Sequence, residues 1–359
     1  MKKKIAIVAG GTGGHIIPAI AFGNWGESMH NEYIFQYICG TRPIEAEIYG
    51  NYGIKPYKLP LEGSPLGKKN LLSFFRRSAA MLKSLYLAFK LLKETRPEIC
   101  LLFGGYISFP ILLAAHFRCI PVIVHEQNAR AGKLTRLASA MGDRILAGWG
   151  ECVPLAENRF KTVGVPVRES NRLQLFEAWN ILHIGSKVPK GPIIVVMGGS
   201  LGSRTIYDTI CTLAVRREME GITFLLVGGN GVVRNFPPNV VSMGKCWDLG
   251  ALISLASAAV VRGGASTLFE MAVYHVPSII IPWKESAANH QLMNATCFIK
   301  DYGGFIWHED DAIEALVQDV VDLVNLKNPL SDVEKETDRL SVNEKICEEI
   351  RVTIGREIL

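Results

Sequence analysis

The stretch Ile5-Ala6-Ile7-Val8-Ala9-Gly10-Gly11-Thr12-Gly13-Gly14-His15-Ile16-Ile17-Pro18-Ala19-Ile20-Ala21 sets the reading of the whole chain. Its apolar opening reads as a buried strand. The strand ends in a turn with almost no side chains, and an apolar pattern of helical type follows. Glycines at such a turn let a ligand approach the backbone, and the N-terminus of the next helix favours anions. His15 adds a proton acceptor there, so the turn predicts chemistry beside a phosphate or a sugar. Two familiar nucleotide loops are excluded. Ile16 stands where a dinucleotide fingerprint needs its third glycine, and the second expected strand ends Cys39-Gly40-Thr41-Arg42, with no acid for a ribose hydroxyl. No Gly-Lys-Ser/Thr follows, which removes a P-loop. A tight turn with only a structural role stays open as the alternative.

The design returns in the second half. Ile193-Ile194-Val195-Val196-Met197 runs into Gly198-Gly199-Ser200-Leu201-Gly202-Ser203, about 190 residues after the first turn. Two such turns predict an α/β protein of two Rossmann-like domains, each a parallel sheet flanked by helices, facing across a ligand cleft. Strands are expected at residues 5–9, 33–39, 98–103, 122–125 and 144–147, then at 193–197, 223–227, 258–261 and 278–282. Pattern breaks at Gly164-Val165-Pro166 and Pro189-Lys190-Gly191-Pro192 put the join in that region. The expected division is an N-terminal domain over residues 1–165, a C-terminal domain over 166–340, and a closing helix over 341–359 that packs back on the first domain.

At 359 residues, 48% hydrophobic and 20% charged, the chain has room for two cores. No run of about 18 uncharged apolar residues predicts a membrane span. Met1-Lys2-Lys3-Lys4 precedes too few apolar residues for a signal peptide and reads as a basic lead-in to the first strand. Eight scattered cysteines without a C-x-x-C pair read as reduced thiols rather than disulfides or a zinc site. The net charge of +5 permits attraction to an anionic surface, and no nucleic-acid motif accompanies it.

Residues 71–93 form the longest helical pattern. Leu72, Phe75, Ala79, Leu82, Leu85, Phe89 and Leu92 recur at three- and four-residue spacing, bordered by Lys68, Lys69, Arg76, Arg77, Lys83 and Lys90. A core-facing helix with a solvated basic edge is one reading. An interfacial patch for anionic lipid is the other, favoured by Phe74-Phe75 beside Arg76-Arg77.

Further polar or glycine-rich segments follow predicted strands. Phe103-Gly104-Gly105-Tyr106-Ile107-Ser108-Phe109-Pro110 is one, and His125-Glu126-Gln127-Asn128 places four hydrogen-bonding side chains at a sheet edge. Arg262-Gly263-Gly264-Ala265-Ser266-Thr267-Leu268-Phe269-Glu270 opens a helix whose N-terminus suits a diphosphate. Glu270 reads either as an acceptor for ribose hydroxyls or as a helix-dipole partner. Asn289-His290-Gln291 offers an amide for sugar hydroxyls or an ordinary surface loop.

Residues 10–15, 104–110, 125–128, 198–203 and 262–270, in this order and spacing, resemble the MurG family, bacterial glycosyltransferases that add N-acetylglucosamine to a lipid-linked muramyl-peptide. Three positions depart from the family pattern: Val165 replaces asparagine in Gly164-Val165-Pro166-Val167-Arg168, Gly263 stands where serine is common, and Leu201 where glutamine is common. The resemblance implies the glycosyltransferase B architecture and an inverting transfer from UDP-N-acetylglucosamine to the 4-hydroxyl of the muramyl sugar of lipid I, forming lipid II for peptidoglycan synthesis. It implies a donor held mainly by the second domain: Ser200 on the diphosphate, Arg168 near the nucleotide, Cys246 near the uracil. Ala265, Ser266, Thr267, Leu268, Phe269 and Glu270 would hold diphosphate and ribose, and Gln291 and Asn128 the sugar hydroxyls. Thr12, Gly13 and Gly14 would close over the donor.

Direct displacement at the anomeric carbon needs a base for the acceptor hydroxyl. His15 is the first candidate, since imidazole titrates near neutral pH. Glu126 is the catalytic rival, and Tyr106, Ser108 and His125 are expected on the acceptor side. With no Asp-x-Asp triplet, no cofactor or metal is required, although a loosely bound magnesium is compatible. The undecaprenyl-linked acceptor implies a peripheral enzyme on the cytoplasmic face of the membrane, docking through Leu72, Phe74, Phe75, Arg76 and Arg77. The rival readings are a UDP-sugar 2-epimerase or a glycolipid glycosyltransferase of the same fold, and a non-catalytic nucleotide-sugar sensor.

Overall fold

The structure is a computed structural model that describes residues 2–30, 32–63, 71–185, 187–199, 202–228, 236–325 and 339–356. Two compact units divide the chain: Met1–Arg168 with Asp338–Leu359, and Glu169–Thr337. The first break falls three residues beyond the expected join.

The first unit runs β1 (Lys3–Ala9), α1 (Gly13–Met29), β2 (Tyr33–Cys39), α2 (Pro43–Asn51), β3 (Tyr57–Lys58), α3 (Leu71–Thr95), β4 (Ile99–Gly104), α4 (Ser108–Phe117), β5 (Val122–Glu126), α5 (Lys133–Met141), β6 (Arg144–Ala147) and β7 (Lys161–Thr162). Its parallel sheet has the order β3-β2-β1-β4-β5-β6-β7. The second unit runs α6 (Leu175–Ile181), β8 (Ile193–Met197), α7 (Arg204–Ala214), β9 (Thr223–Val227), β10 (Val240–Met243), α8 (Leu249–Leu255), β11 (Ala258–Val261), α9 (Ala265–Val273), β12 (Ser278–Ile280), α10 (His290–Tyr302), β13 (Phe305–Ile306) and α11 (Ile313–Asn325). Its parallel sheet, β10-β9-β8-β11-β12-β13, repeats the order of the first six strands of the other.

Both sheets are wound in two directions from a central strand. Helices therefore cover both faces, and the central strands carry unbroken apolar runs, residues 5–9 of β1 and 193–197 of β8, rather than alternating ones. Ile5, Ile7, Val8 and Ala9 of β1 are fully buried, as are Ile194 and Val196 of β8. The order reverses between β1 and β4 and between β8 and β11, so the loops after those strands lie side by side at a topological switch point. The glycine motifs pair there: residues 10–12 with 104–107, and residues 198–199 and 202–203 with 262–264.

The helix expected to return to the first unit is α12 (Arg339–Arg356), and it belongs to that unit. Ile346, Cys347 and Ile350 are buried. Glu349 accepts from Arg144 Nε at 2.6 Å and from Lys161 Nζ at 2.8 Å, and Arg351 pairs with Glu32 at 3.1 Å. Burial alone would raise Glu349, but Arg144 and Lys161 outweigh it and hold the carboxyl below the usual value of 4.5. Both cations are partly exposed, so Glu349→Ala is expected to cost about 2 kcal/mol in denaturant unfolding, roughly half the cost of breaking a buried pair. Because the folded pKa is depressed, this advantage is complete above 4.5 and fades as pH falls through the lower folded value. Equal stabilities at pH 7 would contradict the clasp.

Candidate active site

In the first unit the turn after β1 is tied down from below. Gly11 N–H donates to Glu45 Oε1 at 2.5 Å, and Arg42 Nη1 donates to the Gly11 carbonyl at 3.1 Å. Glu45 is 2% exposed; burial pushes its pKa up against the pull of the Gly11 and Gly40 N–H groups and of Arg42. Gly11 is therefore no open anion cradle, and an added phosphate would meet the Glu45 carboxyl behind it. The cradle expected from the glycines narrows to residues 12–14. Nothing in the sequence of α2 marks Glu45 or Arg42 for this task.

Gly104 and Gly105 complete the floor, with φ of +114° and +86°. A Cβ on Gly104 would lie 2.8 Å from His15 Nδ1, and one on Gly105 would lie 2.3 Å from the Gly10 carbonyl oxygen. Only glycine combines these backbone angles with so close an approach. His15, in the first turn of α1, is thus seated against β4, its Nδ1 2.9 Å from Gln127 Oε1. Gln127 Nε2 donates to the His125 carbonyl at 2.9 Å and stands 3.1 Å from His125 Nδ1. His125 Nε2 reaches the Gly164 carbonyl at 2.9 Å. Four residues from three segments form one line, His15–Gln127–His125–Gly164. Gln127 was legible only as one of four polar side chains, since its role depends on partners distant in sequence.

The other first-unit candidates separate. His125 is 1% exposed and stacked on Phe103 at 5.1 Å, and burial pushes its pKa down to about 4. It is a neutral core imidazole, not a group presented to an acceptor. Ser108 is fully buried and donates to the Gly104 carbonyl at 2.9 Å, so the expected acceptor contact is replaced by a bond that closes the turn. Glu126 spends both oxygens within its own loop: Oε1 accepts from Asn128 N and Nδ2 at 3.1 and 3.0 Å, Oε2 from Gly132 N at 2.9 Å and Thr135 Oγ1 at 2.6 Å. That is the arrangement of a residue that shapes a loop and aims Asn128. Tyr106 is 39% exposed, with Arg42 over its ring at 5.7 Å. Arg168, the last residue of the first unit, donates to Tyr52 Oη at 3.1 Å.

In the second unit the switch-point loops are joined by Arg262. Its guanidinium donates to Ser203 Oγ and to Glu309 Oε1, both at 2.7 Å, and to the Ile281 carbonyl at 3.2 Å. Ser203 in turn caps α7 by accepting from Ile206 N. Gly263, where the family often has serine, allows α10 to approach: a Cβ there would lie 2.3 Å from the Gln291 carbonyl. Asn294 Nδ2 donates to the Gly263 carbonyl at 2.9 Å, and Gln291 Oε1 accepts from Trp283 N at 2.9 Å.

Gly264 caps α9, and Ala265, Ser266 and Thr267 form its first turn. Leu268 and Phe269 belong to the core face of α9, at 0% and 5% exposed, so their side chains are withdrawn from the ligand contacts expected of them by helical periodicity. Glu270 is also on the buried side, at 5%. Cys246 is half-buried and its thiol faces the Asp248 carbonyl at 3.4 Å. Ser200 and Leu201 lie outside the described residues.

Residues 5–147 match the N-terminal domain of glycosyltransferase family 28, and residues 193–348 match its C-terminal domain. A UDP-N-acetylglucosamine--N-acetylmuramyl-(pentapeptide) pyrophosphoryl-undecaprenol N-acetylglucosamine transferase from Carboxydothermus hydrogenoformans is 31% identical over 338 residues, covering 89% of each chain. The chain belongs to glycosyltransferase family 28, among its MurG transferases. A Thermosipho melanesiensis protein of the same name is 25% identical to this family 28 chain over 358 residues, 99% of each. The crystal structure of MurG from Acinetobacter baumannii has a TM-score of 0.69 at 21% identity, covering 97% of this chain and 99% of that one. A UDP-N-acetylglucosamine 2-epimerase from Neisseria meningitidis has a TM-score of 0.62 at 15% identity, covering 97% and 99%. The family 28 fold is thus shared by transferases and epimerases, and fold alone does not choose between them.

Proposed function

We propose that this chain transfers N-acetylglucosamine from UDP-N-acetylglucosamine to the 4-hydroxyl of the muramyl sugar of an undecaprenyl-diphosphate-linked muramyl-peptide, forming lipid II. The observation that carries the reading is the 31% identity to a transferase of that name across 89% of both chains, spanning both family 28 domains. In the step, the acceptor hydroxyl oxygen attacks the anomeric carbon, the bond to the β-phosphate oxygen breaks, and its electron pair leaves with UDP. The configuration inverts, and the hydroxyl proton passes to His15.

Assignments follow the chemistry of each position. The N–H groups opening α9, with Ser266 and Thr267, take the diphosphate, where the helix dipole stabilises the developing charge. Glu270 takes the ribose hydroxyls; a carboxylate held out of water makes stronger hydrogen bonds. Gln291 offers its Nε2–H2 to sugar oxygens, and Asn128, aimed by Glu126, does the same. Glu126 positions rather than exchanges a proton. No metal is assigned to the step. With radiolabelled donor, label is expected to enter the lipid phase only when the lipid-linked acceptor is present. Epimerised nucleotide sugar formed without acceptor would overturn the proposal in favour of the epimerase reading.

A lipid-linked acceptor requires access to a membrane surface. No helix among the described residues is long and apolar enough to cross one. We assign docking to the outer face of α3. Its inner face, Ser84, Ala88, Leu91, Leu92 and Thr95, is buried, whereas Phe75, Leu82 and Tyr86 are 60–68% exposed and Phe117 of α4 is 74% exposed. Phe75, expected on the docking patch, and Leu82 of the same apolar stripe are thus on the outside. Exposed Arg76, Lys83, Lys90, Lys93 and Arg118 surround them. The side chains of Leu72 and Phe74 lie outside the described residues, and Arg77 is half-buried. Inserting each large side chain into lipid is worth about 2 kcal/mol. Phe75→Ser with Tyr86→Ser is therefore expected to weaken binding to anionic liposomes at least roughly tenfold, with turnover of a soluble acceptor analogue within about twofold. Unchanged liposome binding would remove the docking role from α3.

A further inference from the structure

The carboxamide of Gln127 lies between two imidazoles, and its surroundings allow one assignment of hydrogens. A backbone carbonyl oxygen only accepts. The Gly164 oxygen, 2.9 Å from His125 Nε2, therefore requires a hydrogen on that nitrogen. The His125 oxygen, 2.9 Å from one end of the Gln127 carboxamide, requires that end to be the NH2 group. The same NH2 faces His125 Nδ1 at 3.1 Å, which accepts. Burial of His125 agrees, since it keeps this ring neutral with one bare nitrogen. What remains for His15 is the amide oxygen, 2.9 Å from its Nδ1. That oxygen also only accepts, so His15 Nδ1 carries the hydrogen.

We propose that Gln127, locked by His125 and the Gly164 carbonyl, is a positioning residue for the transfer reaction, holding His15 in the Nδ1–H tautomer with its lone pair on Nε2. The inference rests on the reading of His15 as the base. Without an acceptor at Nδ1 a neutral imidazole divides between two tautomers, and the Nε2–H form cannot take a proton at Nε2. In the serine protease triad an aspartate does this work, and loss of the correct tautomer lowers turnover by about 10⁴.

A neutral amide sets the same tautomer without placing a negative charge beside the ring. When the acceptor hydroxyl gives its proton to Nε2, the ring becomes imidazolium and Nδ1–H still donates to Gln127. No proton travels down the line, and His15 returns its proton to solvent after UDP leaves. The titratable and charged groups around the line are His125 and Glu126 at the end of β5, Tyr106 on the turn after β4, and, behind Gly11, Glu45 of α2 and Arg42 just before it.

The test is ¹⁵N NMR of protein labelled in its histidine rings, with His15 assigned by loss of its signals in His15→Ala. Two-bond nitrogen–proton couplings identify the tautomer. The wild type is expected to show Nδ1–H at His15. Gln127→Met is expected to show Nε2–H or a mixture, with kcat for the lipid acceptor lowered roughly 10- to 100-fold and both KM values within about threefold. An Nε2–H signature in the wild type, with His15→Ala inactive, would overturn the role of Gln127 alone. An Nδ1–H signature with full turnover in His15→Ala would overturn the base assignment, and the positioning role with it. A folded Gln127→Met protein with unchanged kcat would also overturn the proposal.

Discussion

His15→Ala is expected to lower turnover of the lipid-linked acceptor by about 10²- to 10⁴-fold, the range for loss of a general base. Affinity for UDP-N-acetylglucosamine is expected to stay within about threefold, because the proposal gives diphosphate and ribose to the second unit. The split follows from where the side chain sits. His15 opens α1 against the positive-φ turn of Gly104, and its one described polar side-chain contact is with Gln127. Alanine at this helical position leaves the backbone undisturbed, and the ring it removes is half-buried rather than part of the core. Stability should therefore change little. A fall in kcat with intact donor binding is the signature of a group that acts in the transition state. Turnover within about twofold of wild type would sink the base assignment, whatever the fate of the rest of the site.

The second large effect is expected at Arg262, and it concerns stability first. Arg262 is 8% exposed and ties four places together: the end of β11, the Ser203 cap of α7, the Ile281 carbonyl after β12, and Glu309. Arg262→Met keeps the length of the side chain and removes every donor. Glu309 is then left partly buried without its cation and the Ile281 carbonyl without that donor, at an expected cost of about 3–5 kcal/mol. For a domain of this size that is a fall in Tm on the order of 10 °C. Donor KM should rise about tenfold or more, because Ser203 and Gly263 stand on the two loops of the switch point and lose the bond that joins them. Thermal unfolding and donor titration of the same variant measure both. A Tm within two or three degrees of wild type, an interval of about 1 kcal/mol, would show that Arg262 is not the tie we describe.

Much of the fold was legible because buried parallel strands are written as unbroken apolar runs. Tyr33–Cys39, Arg144–Ala147, Ile193–Met197, Thr223–Val227 and Ala258–Val261 fall where the sequence placed them. Four strands were missed: Tyr57–Lys58, Lys161–Thr162, Val240–Met243 and Phe305–Ile306. These short strands lie toward the margins of their sheets, with too few residues to show a period. On α3 the apolar residues surround so much of the helix that periodicity could not say which face packs. The packing partner decided it, putting Ala88 and Leu92 inside and Phe75 outside.

The site was legible as a set of turns but not as a set of bonds. Glycine turns after strands mark where ligands approach, and the sheet order brings those turns together in pairs. What each polar side chain does there depends on partners far along the chain. Glu45 reaches Gly11 across 34 residues, Gln127 reaches His15 across 112, and Arg262 reaches Glu309 across 47. Ser108 and His125 looked available because polar residues beside glycine turns often meet ligands. Their hydrogen-bonding capacity is instead used to close the turn and to hold Gln127.

The most direct measurement is the structure of the product formed from labelled UDP-N-acetylglucosamine and an undecaprenyl-diphosphate-linked muramyl-pentapeptide. Mass spectrometry and NMR of the isolated lipid are expected to show N-acetylglucosamine joined through an inverted, β-configured bond to the 4-hydroxyl of the muramyl sugar, with one UDP released per linkage. A nucleotide sugar epimerised at C2 in place of a lipid disaccharide, or a sugar transferred with its configuration retained, would contradict the account.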